Sequence, residues 1–201
     1  VEVTRMGVAW MKFDAASRRA IAGETIAAIE GLKAAIKLDP GKALYHHGLG
    51  SVYAREFQDT RDGHAFQLAH AEFKAATELN PLDGRLFGLL GQLYVSAAQA
   101  SSSPTTSDEQ QKAWLRAAVQ AYERATHLAP FSAIYRYEHA RLYWMLGERS
   151  EAERRAKEAE DLEPNFLPAR ALLARLWVHA GRVDEARNQL QEIQARQAQF
   201  K

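Results

Sequence analysis

The sequence contains no cysteine, which excludes disulfides and thiolate metal sites and leaves the redox compartment open. It also lacks any apolar run near the ~20 residues that a bilayer-spanning helix needs. The opening "VEVTRMGVAW" does not have the basic-then-apolar layout of a secretory signal, so cytoplasm is the default compartment. A first residue of Val rather than Met points to part of a longer chain. Neither sign of charge dominates. With 26 Lys+Arg against 25 Asp+Glu the net charge is +1, which gives no global pull towards nucleic acid and no drive to insert in a membrane. Catalytic patterns are missing as well. There is no nucleophile elbow, P-loop, HExxH or paired-carboxylate motif, and the seven histidines show no H-x3-H spacing. No catalytic residue, cofactor site or metal ligand is therefore assigned, and the chain does not read as an enzyme.

Proline is scarce, with six in 201 residues, but four of the six keep time. They end the phrases "AIEGLKAAIKLDP", "AHAEFKAATELNP", "AVQAYERATHLAP" and "AERRAKEAEDLEP". Aligned on proline, the first column is Ala28, Ala69, Ala118 and Ala152, and the next is Leu32, Phe73, Tyr122 and Ala156. Then come Ala35, Ala76, Ala125 and Ala159, followed by Leu38, Leu79, Leu128 and Leu162. Apolar positions at such steps mark one face of a helix, and the proline ends it by pushing the preceding residue out of the α region. A second helical phrase follows each proline, with a small-residue column at Gly50, Gly91, Ala140 and Ala174 and an aromatic column at Tyr53, Tyr94, Tyr143 and Trp177. Each unit is thus two helices, A then B.

The interval from Pro130 to Pro164 is 34 residues. This length, the small and aromatic positions on helix A, and Ala-x3-aromatic-x2-Ala before Pro on helix B resemble the tetratricopeptide repeat. The resemblance implies an all-α right-handed superhelical solenoid of about five antiparallel helix pairs. Its units are expected at about 8–42, 43–83, 84–132, 133–166 and 167–201. In the fifth unit Ala186, Leu190 and Ile193 occupy the helix B columns, and Gly147 and Gly181 fall at A-to-B turns, where a left-handed residue is wanted. The first helix A, at about 8–21, departs from the pattern: Lys12 and Arg19 stand where large apolar residues are usual, so the helix is either degenerate or shifted in register.

Gly50 explains the stretch "YHHGLGSVY" as a helix contact; Gly48, two residues before it, has no assigned role, and neither a strand nor a third glycine makes a dinucleotide loop. His46 and His47, being adjacent on a helix, point about 100° apart and cannot share a metal.

The other proline intervals, 41 and 49, exceed 34 by 7 and 15 residues. Both insertions fall between helix A and helix B, within "REFQDTRDGHAFQ" and "SAAQASSSPTTSDEQQKAW". In the second, Ser107 with Gln110 forms a capping box that starts a helix over 108–128, carrying Trp114 and Leu115. Two readings stay open there: lengthened helices packed on each other with Trp114 as filler, or a second binding or homo-oligomer surface. Exposed solenoid ends are a further route to self-assembly.

In this family the A helices line a concave groove that takes protein or peptide ligands. Carrying the groove stripe over gives Trp10, Phe13, Ser17, Ala20 and Ile21 in the first unit, and His47 and Arg55 with Leu44, Ser51 and Ala54 in the second. The third contributes Arg85 and Gln92, the fourth Tyr137, Arg141 and Trp144, and the fifth Arg175 and His179. The 25 stripe positions hold four arginines, two histidines and no acid, so the stripe predicts a mildly basic, partly aromatic groove for an acidic or carboxylate-bearing segment. The carboxylate clamp that some members use for chaperone tails does not fit any window of this sequence. Phrases such as "PFSAIYRYEHARLYW" also resemble the repeat tails of bacterial O-antigen ligase/polymerase-type membrane proteins, which implies as an alternative an accessory domain of a larger glycan-handling enzyme.

Overall fold

The computed structural model describes residues 2–101 and 108–198. Within them the chain forms helices α1 (Glu2–Ile21), α2 (Thr25–Leu38), α3 (Ala43–Thr60), α4 (Gly63–Leu79) and α5 (Gly84–Ala100), then α6 (Asp108–Leu128), α7 (Ala133–Leu146), α8 (Arg149–Leu162), α9 (Leu167–His179) and α10 (Val183–Ala198). No strand occurs among the described residues. Each helix packs on its neighbours in sequence, and the odd helices also touch one another, α1 on α3, α3 on α5 and α7 on α9. No two even helices come as close, so the solenoid curves towards its odd helices and these line the inner side.

The alanine columns close the helix pairs. Ala28, Ala69, Ala118 and Ala152, with Ala35, Ala76, Ala125 and Ala159, are fully buried, because only a methyl group fits where two helix backbones nearly touch. The second column varies in size, and the partner on helix A varies inversely. Gly50 faces Phe73 and Gly91 faces Tyr122, whereas Ala140 shares a packed cluster with Ala156. Gly48 has a role that the sequence did not disclose: a Cβ there would meet Leu32 and Phe13 at 3.1 Å, so it thins α3 against the preceding pair. The leucine column is less buried than its periodicity implies. Leu79 and Leu162 are exposed at the ends of their helices.

Three A-to-B turns share one closure. Gly23, Gly147 and Gly181 adopt φ near +80°, and the residue after each donates its N–H five residues back, Glu24 to Arg19, Glu148 to Tyr143 and Arg182 to Trp177. The α3–α4 turn places Arg61 in the same left-handed region with φ 60°.

The first insertion is wholly helical: α3 and α4 exceed the 14-residue α7 and α8 by four and three residues, about one turn each. In the second, α6 runs over 108–128 as expected, while Ser107 of the capping box and the Ser-rich loop lie outside the described residues. Trp114 packs inward. Its ring lies 5.0 Å from Phe66 and 5.8 Å from Tyr94, bridging the lengthened parts of both pairs.

Two expectations about the ends need correction. Helix α1 begins at residue 2, not about 8, and is in register: Ala9 and Ala16 are buried on α2, with Ala16 Cβ against Gly31, while Lys12 and Arg19 are simply exposed. In α10, Leu190 is 48% exposed and Gln189 takes the inward place. In earlier pairs the second column is covered by the following odd helix, as Leu32 is by α3 at Gly48, and no described helix follows α10.

Candidate ligand groove

The fourth residue of helix A does unexpected work in three pairs. His46 Nε2 lies 3.2 Å from the Pro40 carbonyl and its Nδ1 lies 2.7 Å from Glu72. Arg136 donates to the Pro130 carbonyl at 3.3 Å and to Glu158. Arg170 donates to the Pro164 carbonyl at 2.7 Å and to Glu192 at 2.7 Å. Proline-bearing turns leave that carbonyl free at the end of the preceding helix, and the side chain clasps it to helix B of its own pair. His46 is thereby committed to structure, and the adjacent His47 is turned to the inner side, where it lines a large hollow.

That hollow, about 1050 Å³, runs across α3, α5 and α7 and is lined among others by His47, Arg85, Gln92 and Arg141. A second depression of about 260 Å³ lies between α7 and α9, with Tyr137, Arg141, Trp144 and Arg175 around Met145 and Leu172. A third, about 170 Å³, holds Arg55 beside Gln58, Leu89 and Gln92. Gln92 belongs to both the third and the first, and Arg141 to both the first and the second, so the three form one continuous row. His47, Arg55, Arg85, Gln92, Tyr137, Arg141, Trp144 and Arg175 of the 25 stripe positions therefore lie on this row, whereas the first unit's Trp10, Phe13, Ser17, Ala20 and Ile21 do not line it. His179 stands off it, packed on the Trp144 ring at 4.9 Å.

The stripe misjudged the charge. Asp83 and Glu138 also line the hollow. Arg85 holds Asp83 with two bonds, Nε to Oδ1 at 3.0 Å and Nη2 to Oδ2 at 2.8 Å, and Arg141 Nη1 holds Glu138 Oε2 at 2.7 Å. The centre of the groove is therefore made of neutralised pairs, not of free cations. Both acids sit off the stripe, Asp83 as the N-cap of α5 and Glu138 one residue along from Tyr137. Free positive charge is left at Arg175, which is exposed and has no ion-pair partner among the described residues. Arg55 is exposed and donates to the Ala20 carbonyl at 3.2 Å.

Burial sets the electrostatics of the hollow. It pushes the Glu138 carboxyl up, against the pull of Arg141. It holds His47 below its ordinary range, with Arg85 adding to the effect and Asp83 opposing it. Burial also drives the Tyr122 hydroxyl far up, helped by Glu138 and offset by Arg141. Tyr122 belongs to α6, an outer helix, and reaches the inner side because Gly91 leaves room for its ring. Tyr135 uses Gly88 in the same way, with Cε1 3.0 Å from where a Cβ would lie. The stripe could not find these two tyrosines. The signal for them was the pair Gly88 and Gly91 three residues apart on α5, marking two thinned places on one helix.

Residues 150–200 match the family model described as tetratricopeptide repeat. Most of the chain superposes on solved repeat structures. The chain has the tetratricopeptide-repeat solenoid fold. MamA from Desulfovibrio magneticus RS-1 is similar at 15% identity and TM-score 0.75, covering 95% of this chain and 96% of that one. TTC0263 of Thermus thermophilus, a thermophilic protein of the same repeat class, is similar at 22% identity and TM-score 0.65, over 94% and 91%. YrrB, described as having an unusual peptide-binding site, is similar at 19% identity and TM-score 0.66, over 93% and 85%. Comparison with curated proteins gives no match. At these identities the likeness speaks for the repeat fold alone.

Proposed function

We propose that this repeat domain is a non-enzymatic scaffold that holds an extended segment of another protein along the inner row of hollows, with units at about 8–42, 43–83, 84–132, 133–166 and 167–201. The observation that carries the reading is the continuity of that row from Arg55 through Gln92 and Arg141 to Arg175. An extended peptide needs such a trough, with polar groups to orient it and apolar recesses for alternate side chains. That YrrB, with the same fold, is described by a peptide-binding site fits the same role.

The preference for a carboxylate narrows to the α7–α9 end. There Arg175, with its donors unclaimed, borders the recess formed by Trp144, Met145 and Leu172. An apolar terminal side chain would enter that recess while its carboxylate takes the guanidinium fork. The test uses random-sequence peptide pools ending in leucine, with a free or an amidated C-terminus. The free-acid pool should be retained better by the wild-type chain, and Arg175→Glu should abolish the difference with unchanged circular dichroism. Equal retention of both pools by both proteins would overturn the carboxylate reading, and no retention by either would overturn the groove.

A further inference from the structure

The middle of the groove contains polar groups that the fold itself leaves unused. Tyr122 is 6% exposed and lines the hollow, yet its hydroxyl makes no hydrogen bond with the described residues. Glu138 gives Oε2 to Arg141, while Oε1 accepts nothing from them. Arg141 bonds only to Glu138 and keeps donors for the hollow and for the neighbouring recess. A hydroxyl that borders a cavity and has no partner in the protein can bond whatever fills that cavity, and its charge coupling to Glu138 and Arg141 puts the three groups close together.

The three groups together define what fits. An incoming carboxylate is drawn by Arg141 but meets the Glu138 charge in a half-buried place. An ammonium meets the reverse. A carboxamide satisfies both partners: its C=O accepts from Arg141 or from the Tyr122 hydroxyl, and its NH₂ donates to Glu138 Oε1. Tyr122 comes to the hollow from the outer helix α6, across Gly91, so a side chain that projects into the hollow reaches it more readily than a peptide backbone does. We propose that Tyr122, Glu138 and Arg141 form a central subsite for the carboxamide of a Gln or Asn side chain in the bound segment. This rests on the reading of the groove as a peptide site.

The experiment offers the 201-residue chain three synthetic pools of short peptides with random flanks and a fixed central Gln, Glu or Lys, and quantifies retention by mass spectrometry. The Gln pool should be retained about tenfold over either charged pool, the equivalent of one well-made buried hydrogen bond. Tyr122→Phe should remove most of that preference without lowering the thermal midpoint, since the hydroxyl has no internal partner. Glu138→Gln frees Arg141 and should turn the preference to the Glu pool; Arg141→Gln should turn it to the Lys pool. Best retention of a charged pool by the wild-type chain, equal retention of all three, or a Tyr122→Phe protein that ranks them as wild type does would overturn the subsite and leave the groove standing. No retention of any pool would overturn the groove and the subsite together.

Discussion

Gly91 and Tyr122 share one space: a Cβ on the glycine would lie 2.6 Å from Cε2 of the ring and 2.7 Å from Cδ2. The ring is buried and cannot swing clear, so Gly91→Ala overpacks the α5–α6 contact. The expected loss is about 1–3 kcal/mol by urea unfolding. Combining it with Tyr122→Leu should recover part of that loss, because the two positions couple directly. Additive losses in the double variant would show that the contact is not shared.

At the α3–α4 turn Arg61 occupies the left-handed place that glycines hold in three other turns. A side chain there costs about 1–2 kcal/mol of backbone strain, part of which glycine returns as unfolded-state entropy. Arg61→Gly should raise stability by up to about 1 kcal/mol, and Arg61→Val should lower it. Thermal unfolding of the two variants checks the order.

Glu153 accepts from Trp177 Nε1 at 2.9 Å, from Lys157 at 2.9 Å and from Arg182 Nη1 at 2.8 Å, tying α8 to α9 and to the turn before α10. Burial opposes its ionised form, but these bonds hold the carboxyl down at about 2. A carboxyl depressed on folding adds stability above its unfolded pKa and loses it as pH falls through the folded one. Glu153→Gln should therefore cost about 1–2 kcal/mol at pH 7. That difference should shrink steadily between about pH 5 and pH 2. A cost independent of pH over that window would mean that the charge is not the cause.

The Arg170 clasp predicts a local failure. Arg170 is 4% exposed and bonds Gln189, Glu160 and Glu192, joining α8, α9 and α10. Arg170→Leu leaves the Glu160 charge held only by the Gln189 Nε2 donor and takes the donor from Gln189 Oε1, so α10 should lose its seat while the α3–α6 region keeps its structure, as nearest-neighbour stability in a solenoid requires. Hydrogen exchange should show faster exchange in α10 and unchanged protection in α4 and α5. Uniform acceleration along the chain would refute it.

Much of this architecture was legible before any coordinates. The alanine columns and the proline spacing located the helix pairs, because burial between two touching helices repeats at every pair and leaves a period in the residues themselves. The size exchange between Gly50 and Phe73, or Gly91 and Tyr122, was also visible as two columns, though not as a contact. Legibility failed where a residue's partner depends on which element lies beyond. Leu190 kept the pattern of Leu32 and Phe73 with no following helix among the described residues to cover it. Gly48 showed no period because it serves the preceding pair.

The sequence by itself determined a stack of helix pairs and their register, since these follow from spacing along single helices, while its resemblance to the tetratricopeptide repeat singled out the helix row that carries His47, Gln92, Arg141 and Arg175. Only the tertiary structure decided the character of the groove. Asp83 and Glu138 reach the hollow from off the stripe, and Tyr122 reaches it from the outer row across Gly91. The physical reason is that a helix period records which side a residue faces, whereas charge neutralisation and an unused hydroxyl depend on distances between helices, which close packing sets.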